Sequence, residues 1–434
     1  MRRFESWGRY PTAEQTLKPL FWSDDFPIQG EATLSQLPVG MGRSYGDVCL
    51  NDKNALLLTR GLNRLLAFDP DTGVLCCEAG TTLAEILDFA VPRGWFLPVT
   101  PGTKFVTVGG AIANDVHGKN HHVVGTFGRH VVGFGLSRSD GTQMECSPAS
   151  HPQFYSASIG GLGLTGLITR AAIQLKPVVS RKIECETIQF HGLEEFVALS
   201  DAHSHREYAV SWIDCVSRGR SAVRGIFMCG DHATVPERQN RAEKAKLTIP
   251  VDLPEFALSR TTVRLFNTIY FHKQLKKHVA LTTDYESFFY PLDSLLHWNR
   301  MYGKQGLLQF QCVVPHIDGL AAIRAILQAI TQSGLASFLA VVKIFGDAVS
   351  PGMMSFPMPG ITLTLDFPIR TNRTFSLVDR LGDMARAAGG RLYPAKDARM
   401  TKNQFREFYP RHEEFGQYVD PHFSSTFWRR VNEA

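Results

Sequence analysis

Glycine clusters constrain this chain more than any other feature. Three runs, "PVGMGRSYGDVCLN" at 38–51, "PGTKFVTVGGAIAND" at 101–115 and "GGLGLTGLITRAAI" at 160–173, fall in the first half of the sequence. Lacking a Cβ, glycine lets backbone N–H groups approach a ligand closely. One such run is ordinary turn chemistry; three in one region describe a backbone cradle for a polyanion such as phosphate. The third run matches G-x-G-x-x-G through Gly161, Gly163 and Gly166. A dinucleotide fingerprint of that form must open a helix, whereas the β-rich "LITRAAIQL" follows here, so a Rossmann nicotinamide site is rejected.

Short elements surround the clusters. "RLLAFDPDTGVLCCEAG" predicts two strands joined by an Asp-Pro-Asp-Thr-Gly turn, and "TTLAEILDFAVPRG" a helix, because Thr82 and Glu85 have capping-box spacing and Gly94 lies past its end. After Leu175 the texture changes. Strands such as "GITLTLDFPI" alternate with helical "GLAAIRAILQAITQSG" and "FSLVDRLGDMARAAGG", the pattern of an α+β fold. "VPERQNRAEKAKLTIP" is charged and weakly patterned, a candidate mobile loop.

Several function classes are excluded. With 434 residues, 44% hydrophobic and 20% charged, the chain is globular and long enough for more than one cored domain. A net charge of +5 and no recognisable motif argue against nucleic acid as a partner. "MRRFESWGRY" is not followed by a signal-peptide apolar run, and "SFLAVVKIF" is interrupted by charge far short of the ~20 residues of a membrane span. The eight cysteines are scattered without metal spacing and are expected to be cytosolic free thiols. His117 and His121 stand four apart, as in a zinc helix. Gly118 follows His117 where a zincin carries glutamate, however, so no metal is expected.

The stretches "VGMGRSYGD", "PGTKFVTVGGAIANDVHGKNHHVVGTFGRHV", "FFYPLDSLLHWNRMYG", "LLQFQCVVP" and "GGRLYPAKDARMT" together resemble the decaprenylphosphoryl-β-D-ribose 2′-oxidase family of vanillyl-alcohol-oxidase-type flavoenzymes, from about residue 30 to the C-terminus. The resemblance implies a two-domain α+β flavoprotein of the PCMH type. Residues 1–178 would form the FAD-binding domain, 179–390 an antiparallel-sheet substrate domain, and 391–434 a segment returning to the first. It assigns cofactor contacts to Pro38, Val39, Gly40, Met41, Gly42, Arg43, Ser44, Tyr45, Gly46, Asp47 and Val48 around the pyrophosphate, to Gly102, and to Thr107, Val108, Gly109, Gly110, Asn114, Asp115, Val116 and His117. Ile168 and Tyr393 complete the set. Many flavinylated relatives carry G-x-G-H-S, whose histidine bonds the flavin; here Arg43 holds that place, so non-covalent FAD is implied.

Lys396 in "RLYPAKD" matches the family's active-site lysine, and His117 competes with it as the base. Tyr45, Trp212, Gln311, Lys343 and Phe345 would surround sugar and phosphate, with Lys119 as a further phosphate partner. His121 and His122 read as structural, and Trp212 reads equally well as a core aromatic. Thr362 and Thr364 stand where relatives known for covalent inhibition carry asparagine and cysteine, which alters the pocket edge. The implied reaction is oxidation of the 2′-hydroxyl of a polyprenyl-phosphoryl-β-D-ribose, the first half of an epimerisation to an arabinose donor. A separate NAD(P)H-dependent short-chain reductase would finish it. The alternatives are an oxidase of a soluble polyol or sugar lactone and a non-catalytic flavoprotein scaffold. A polyprenyl substrate implies a cytoplasmic protein or one peripheral at the inner membrane, and "FHKQLKKH" at 271–278 is the expected basic contact.

Overall fold

A computed structural model describes residues 4–26, 34–217, 223–236 and 247–432. The fold is α+β, with two sheet systems meeting around one cleft. On the N-terminal side a parallel three-stranded sheet places Ala55–Leu58 between Thr16–Pro19 and Gln36–Val39. Beside it, an antiparallel five-stranded sheet runs in the order Leu65–Phe68, Val74–Glu78, Leu167–Gln174, Val131–Ser137, Gln143–Cys146. The expected hairpin forms its first two strands.

Thr82 and Glu85 close a capping box on helix Leu83–Ala90, and Gly94 turns left-handed after it, as the sequence predicts. That helix buries Leu83, Ile86, Leu87 and Ala90. Each of the three larger side chains contributes about 1.5–3 kcal/mol and the cap about 1 kcal/mol. The third glycine run leads directly into strand Leu167–Gln174, the arrangement that removed the Rossmann reading.

An eight-stranded antiparallel sheet forms the other side. Its order is His278–Asp284, Lys182–His191, Arg224–His232, Tyr208–Asp214, Ala340–Phe345, Gly360–Pro368, Leu307–Val314, Arg391–Leu392. Helices Gly319–Ser333 and Thr371–Ala387 pack on each other and on its strands. The described residues from 391 to 432 contact both sides. Arg391–Leu392 pairs with Cys312 and Val313 at the sheet edge. Arg430 of helix Thr426–Asn432 then binds Asp47 of the first glycine run at 2.7 Å and Asp397 at 2.9 Å. One apolar cluster accordingly runs from Leu37, Val39 and Leu56 through Phe310 and Leu363 to Phe405 and Trp428.

One sequence expectation lies outside the structure, and a second falls differently. Most of the charged segment 235–250 lies outside the described residues. The basic "FHKQLKKH" is not one surface element: helix Arg260–His272 ends inside it, Phe271 is buried, and the lysines occupy the exposed turn that leads into His278–Asp284. Lys277 there is tied to Glu195 at 2.7 Å. Among the described residues no helix is long and apolar enough to cross a membrane, and no cluster of His, Cys, Asp and Glu could hold a metal ion.

Candidate active site

A cavity of about 420 Å³ occupies the cleft between the sheet systems. The first glycine run supplies one wall, from Pro38, Val39, Gly40, Met41, Gly42, Arg43, Ser44, Tyr45 and Val48. Gly102, Thr107, Gly109, Gly110, Asn114, Val116 and His117 of the second run supply another, with Ile168 from the five-stranded sheet beside them. Lys119, Trp212, Gln311, Lys343, Thr364, Tyr393 and Lys396 close the far end.

Six expected contacts stand behind these walls. Gly46 packs on the Asp397 carbonyl and Asp47 pairs with Arg430. Val108 is buried in the core, and Asp115 accepts from the Gly128 N–H and from the Ser350 and Ser355 hydroxyls. Phe345 backs the His117 ring at 4.9 Å, and Thr362 donates to the Cys312 carbonyl at 2.8 Å. Their place is structural support, one layer from the cavity.

The N-terminal walls fit a large polar cofactor. A Cβ on Gly40 would overlap the Thr107 side chain, and one on Gly46 would overlap the Asp397 carbonyl oxygen, so the loop takes its path only with glycine at both positions. Asn114 Oδ1, Arg43 Nε and His117 Nδ1 are buried without a protein partner, although buried polar atoms are normally satisfied. Asn114 is fixed from both sides: its side-chain amide nitrogen donates to the Gly110 carbonyl, and its backbone carbonyl accepts from the Tyr393 hydroxyl, each at 2.8 Å. Arg43 lies over the Trp7 ring, 4.0 Å from its centroid.

The far end concentrates cations. Lys343 donates to the Gly118 carbonyl at 3.2 Å, and burial lowers its pKa to about 8. Lys119 binds the Phe288 carbonyl beside the Phe288 ring; burial, and secondarily Lys343, bring it to about 7. Lys396 lies on the 3-10 turn Pro394–Lys396, its amine 3.9 Å from the Tyr45 ring centroid. Burial depresses its pKa and Lys343 adds to this, while Asp366 acts in the opposite sense.

His117 sits among Phe345, Phe356 and Tyr393. Its pKa is pushed well below 6.5 by burial first and then by Lys343, His121 and Lys396, which leaves it neutral near pH 7. Gln311 Nε2 reaches His117 Nε2 at 2.9 Å and Thr362 Oγ1 at 3.3 Å. The Trp212 indole donates to the Phe338 carbonyl at 3.0 Å while the ring faces the cavity, so it serves both as a core aromatic and as a lining residue. His122 bonds the Arg206 carbonyl at 2.9 Å and His121 packs tilted against Phe345, ring centroids 4.3 Å apart, both outside the lining.

Sequence reasoning missed Trp7, Gln309 and Asp366. The first two line the cavity and the third lies behind it. The one available signal was a lone aspartate inside the apolar strand "TLTLDFPI".

Comparison with known proteins gives concordant matches. Residues 30–147 match the FAD binding domain family. The chain is 33% identical, over 99% of its length and 97% of the relative's, to the decaprenylphosphoryl-β-D-ribose oxidase of Mycolicibacterium smegmatis. It is 32% identical to an uncharacterised Streptomyces coelicolor protein over 81% of this chain and 99% of that one. Mouse L-gulonolactone oxidase is 30% identical over 36% of this chain and 32% of its own length.

Proposed function

From the premise that the chain belongs to the decaprenylphosphoryl-β-D-ribose oxidase family of FAD-dependent oxidoreductases, we propose that it oxidises the 2′-hydroxyl of a polyprenyl-phosphoryl-β-D-ribose to the 2′-ketone. The observation that carries this reading is the trio of amines, Lys119, Lys343 and Lys396, at one end of the cavity. Burial pushes the three amines toward their neutral form, and an anion arriving beside them favours the charged form again. A phosphodiester supplies that charge. A polyol or lactone does not, and a scaffold without a substrate has no use for the arrangement.

FAD would be held by the two glycine runs, Asn114 and Tyr393; when bound, it accepts the hydride from the sugar carbon. The chain's own residues orient the sugar and move the proton. Lys396 takes the hydroxyl proton, since burial leaves a fraction of its amine free near neutral pH. His117 is the weaker base candidate because its Nε2 lone pair already accepts from Gln311. Its remaining Nδ1–H is then a donor, suited to an oxygen of the substrate or cofactor. Lys343 and Lys119 hold the phosphate, Gln311 and Thr364 bound the sugar, and Trp212 with Tyr270 lines an apolar exit for the lipid.

Lipid pick-up requires a bilayer surface. Helix Arg260–His272 supports this reading, because its outer face exposes Leu265 (61%), Phe266 (47%) and Ile269 (61%), Leu275 (94%) follows in the turn, and the helix contains no acidic residue. Arg264, Lys273 and Lys276 stand exposed around it. Tyr270 of the same helix lines the cavity, which links that face to the site. The keto product needs a hydride from elsewhere, and a separate NAD(P)H-dependent short-chain reductase is the matching partner.

The test is product analysis. Incubation with polyprenyl-phosphoryl ribose followed by borodeuteride should place deuterium at C2′ of the sugar. Deuterium at another carbon, or none, refutes the assignment.

A further inference from the structure

Asp366 is a carboxyl enclosed in the centre of the eight-stranded sheet. It faces Gln309 across strands Gly360–Pro368 and Leu307–Val314, and it is fully buried. One of its oxygens accepts from Gln309 Nε2, the other from the Tyr302 hydroxyl at 3.4 Å, and its backbone N–H donates to Ser337 Oγ at 3.2 Å. Among the described residues it makes no ion pair; its partner Gln309 lines the same cavity as Lys396, whose positive charge favours the Asp366 carboxylate. Gln309, Tyr45 and Lys396 all line that cavity, and the Tyr45 ring centroid lies 3.9 Å from the Lys396 amine. A buried carboxylate near a reactive amine without touching it is costly as a structural device.

We infer that Asp366 is a positioning residue for Lys396: held in place by Gln309 and Tyr302, its negative charge stabilises the ammonium that Lys396 becomes on taking the substrate proton. The inference rests on the reading of Lys396 as the base. In that step the hydroxyl O–H breaks and a new N–H forms at Nζ. The oxygen's electron pair completes the carbonyl as hydride leaves the sugar carbon for FAD. The aspartate behind the catalytic histidine of a serine protease plays the same part. Burial raises the Asp366 carboxyl and lowers the Lys396 amine, and each opposes the other's shift by attraction.

The other charged or titratable groups facing the pair are Lys343, His117, Tyr45 and Tyr302, and Arg43 and Asp293, of opposite charge, act on Tyr45 and are common to the proteins compared. His117 is neutral and both tyrosines are protonated across the working range. Arg43 keeps its charge throughout. Burial lowers Lys343 to about 8, and because it is common to the proteins compared its effect cancels.

The experiment follows the Lys396 amine directly. FAD-loaded protein is acylated with a trace amine reagent at a series of pH values, and labelling of the Lys396 peptide is read by mass spectrometry. In Asp366→Asn the midpoint should fall by at least about one pH unit, since loss of the anion favours the free amine. Tyr302→Phe weakens the carboxylate's support while keeping the ring, and should move the midpoint less, in the same direction. Asp366→Glu should restore part of the shift. On lipid substrate, Asp366→Asn should lower kcat with KM unchanged. Should Asp366→Asn lose its flavin, Tyr302→Phe carries the test alone. An unchanged midpoint in every variant that retains flavin overturns the inference, even if the substrate is confirmed. A shifted midpoint without turnover of the lipid substrate upholds the electrostatic link and refutes the assigned reaction instead.

Discussion

Gln311 Nε2 and His117 Nε2 meet at 2.9 Å across 194 residues of sequence. An amide nitrogen can only donate, so the histidine must accept at Nε2 and carry its proton on Nδ1, an assignment that follows from the hydrogen-bond network. With its pKa pushed well below 6.5, His117 should remain this single neutral tautomer from pH 6 to 8. Nitrogen NMR of the labelled ring would check it. A doubly protonated signal appearing in that range contradicts the burial argument.

Lys396→Ala should retain flavin and slow anaerobic flavin reduction by at least ~100-fold, the usual scale for a lost proton acceptor or charge. In the native protein the free amine is the active form. The reduction rate should therefore rise with pH through the Lys396 ionisation, which lies below the ordinary lysine range, and level off above it. Near-normal reduction in a flavin-replete Lys396→Ala protein would remove the lysine from the mechanism.

Acid precipitation should release all the yellow colour as free FAD. Arg43, stacked on Trp7, occupies the place where flavinylated relatives carry the bonding histidine. Colour remaining with the denatured chain would show a covalent link through another residue.

Membrane docking should depend on the outer face of helix Arg260–His272. Each basic residue beside an anionic surface contributes about 1 kcal/mol. The protein should co-sediment with anionic but not neutral vesicles. Replacing Leu265, Phe266 and Ile269 by serine, or Lys273 and Lys276 by glutamine, should weaken this binding and slow turnover of the long-chain substrate more than of a short-chain analogue. Equal losses on both substrates would make the face an ordinary surface.

Much of the cofactor side was legible in the sequence. Gly40, Gly109 and Gly110 lie in short linear runs, and close backbone approach needs glycine at specific places, which leaves a local trace. The far end was less so. Asp366 is 57 residues from Gln309 and 64 from Tyr302, and it meets them only through strand register and the turn before Gln309's strand. The exposed apolar face of helix Arg260–His272 has the periodicity of a core helix, and only the packing of Val263, Asn267 and Phe271 inward decides which side meets solvent. Gly46, Asp47 and Asp115 were placed against the cofactor by resemblance. Outside the cavity lining, Gly46 packs against the Asp397 carbonyl, Asp47 pairs with Arg430, and Asp115 accepts from the Ser350 and Ser355 hydroxyls.

The central claim is that the amine cluster exists for a phosphorylated sugar, and anaerobic bleaching of the flavin tests it most directly. Polyprenyl-phosphoryl-β-D-ribose should bleach the native protein rapidly, while L-gulonolactone and free ribose should not. Lys343→Gln should raise the lipid-substrate concentration needed for half-maximal bleaching by about 10-fold or more, the scale of a lost charge-assisted hydrogen bond. Rapid bleaching by the lactone or free sugar, unaffected by Lys343→Gln, would contradict the account.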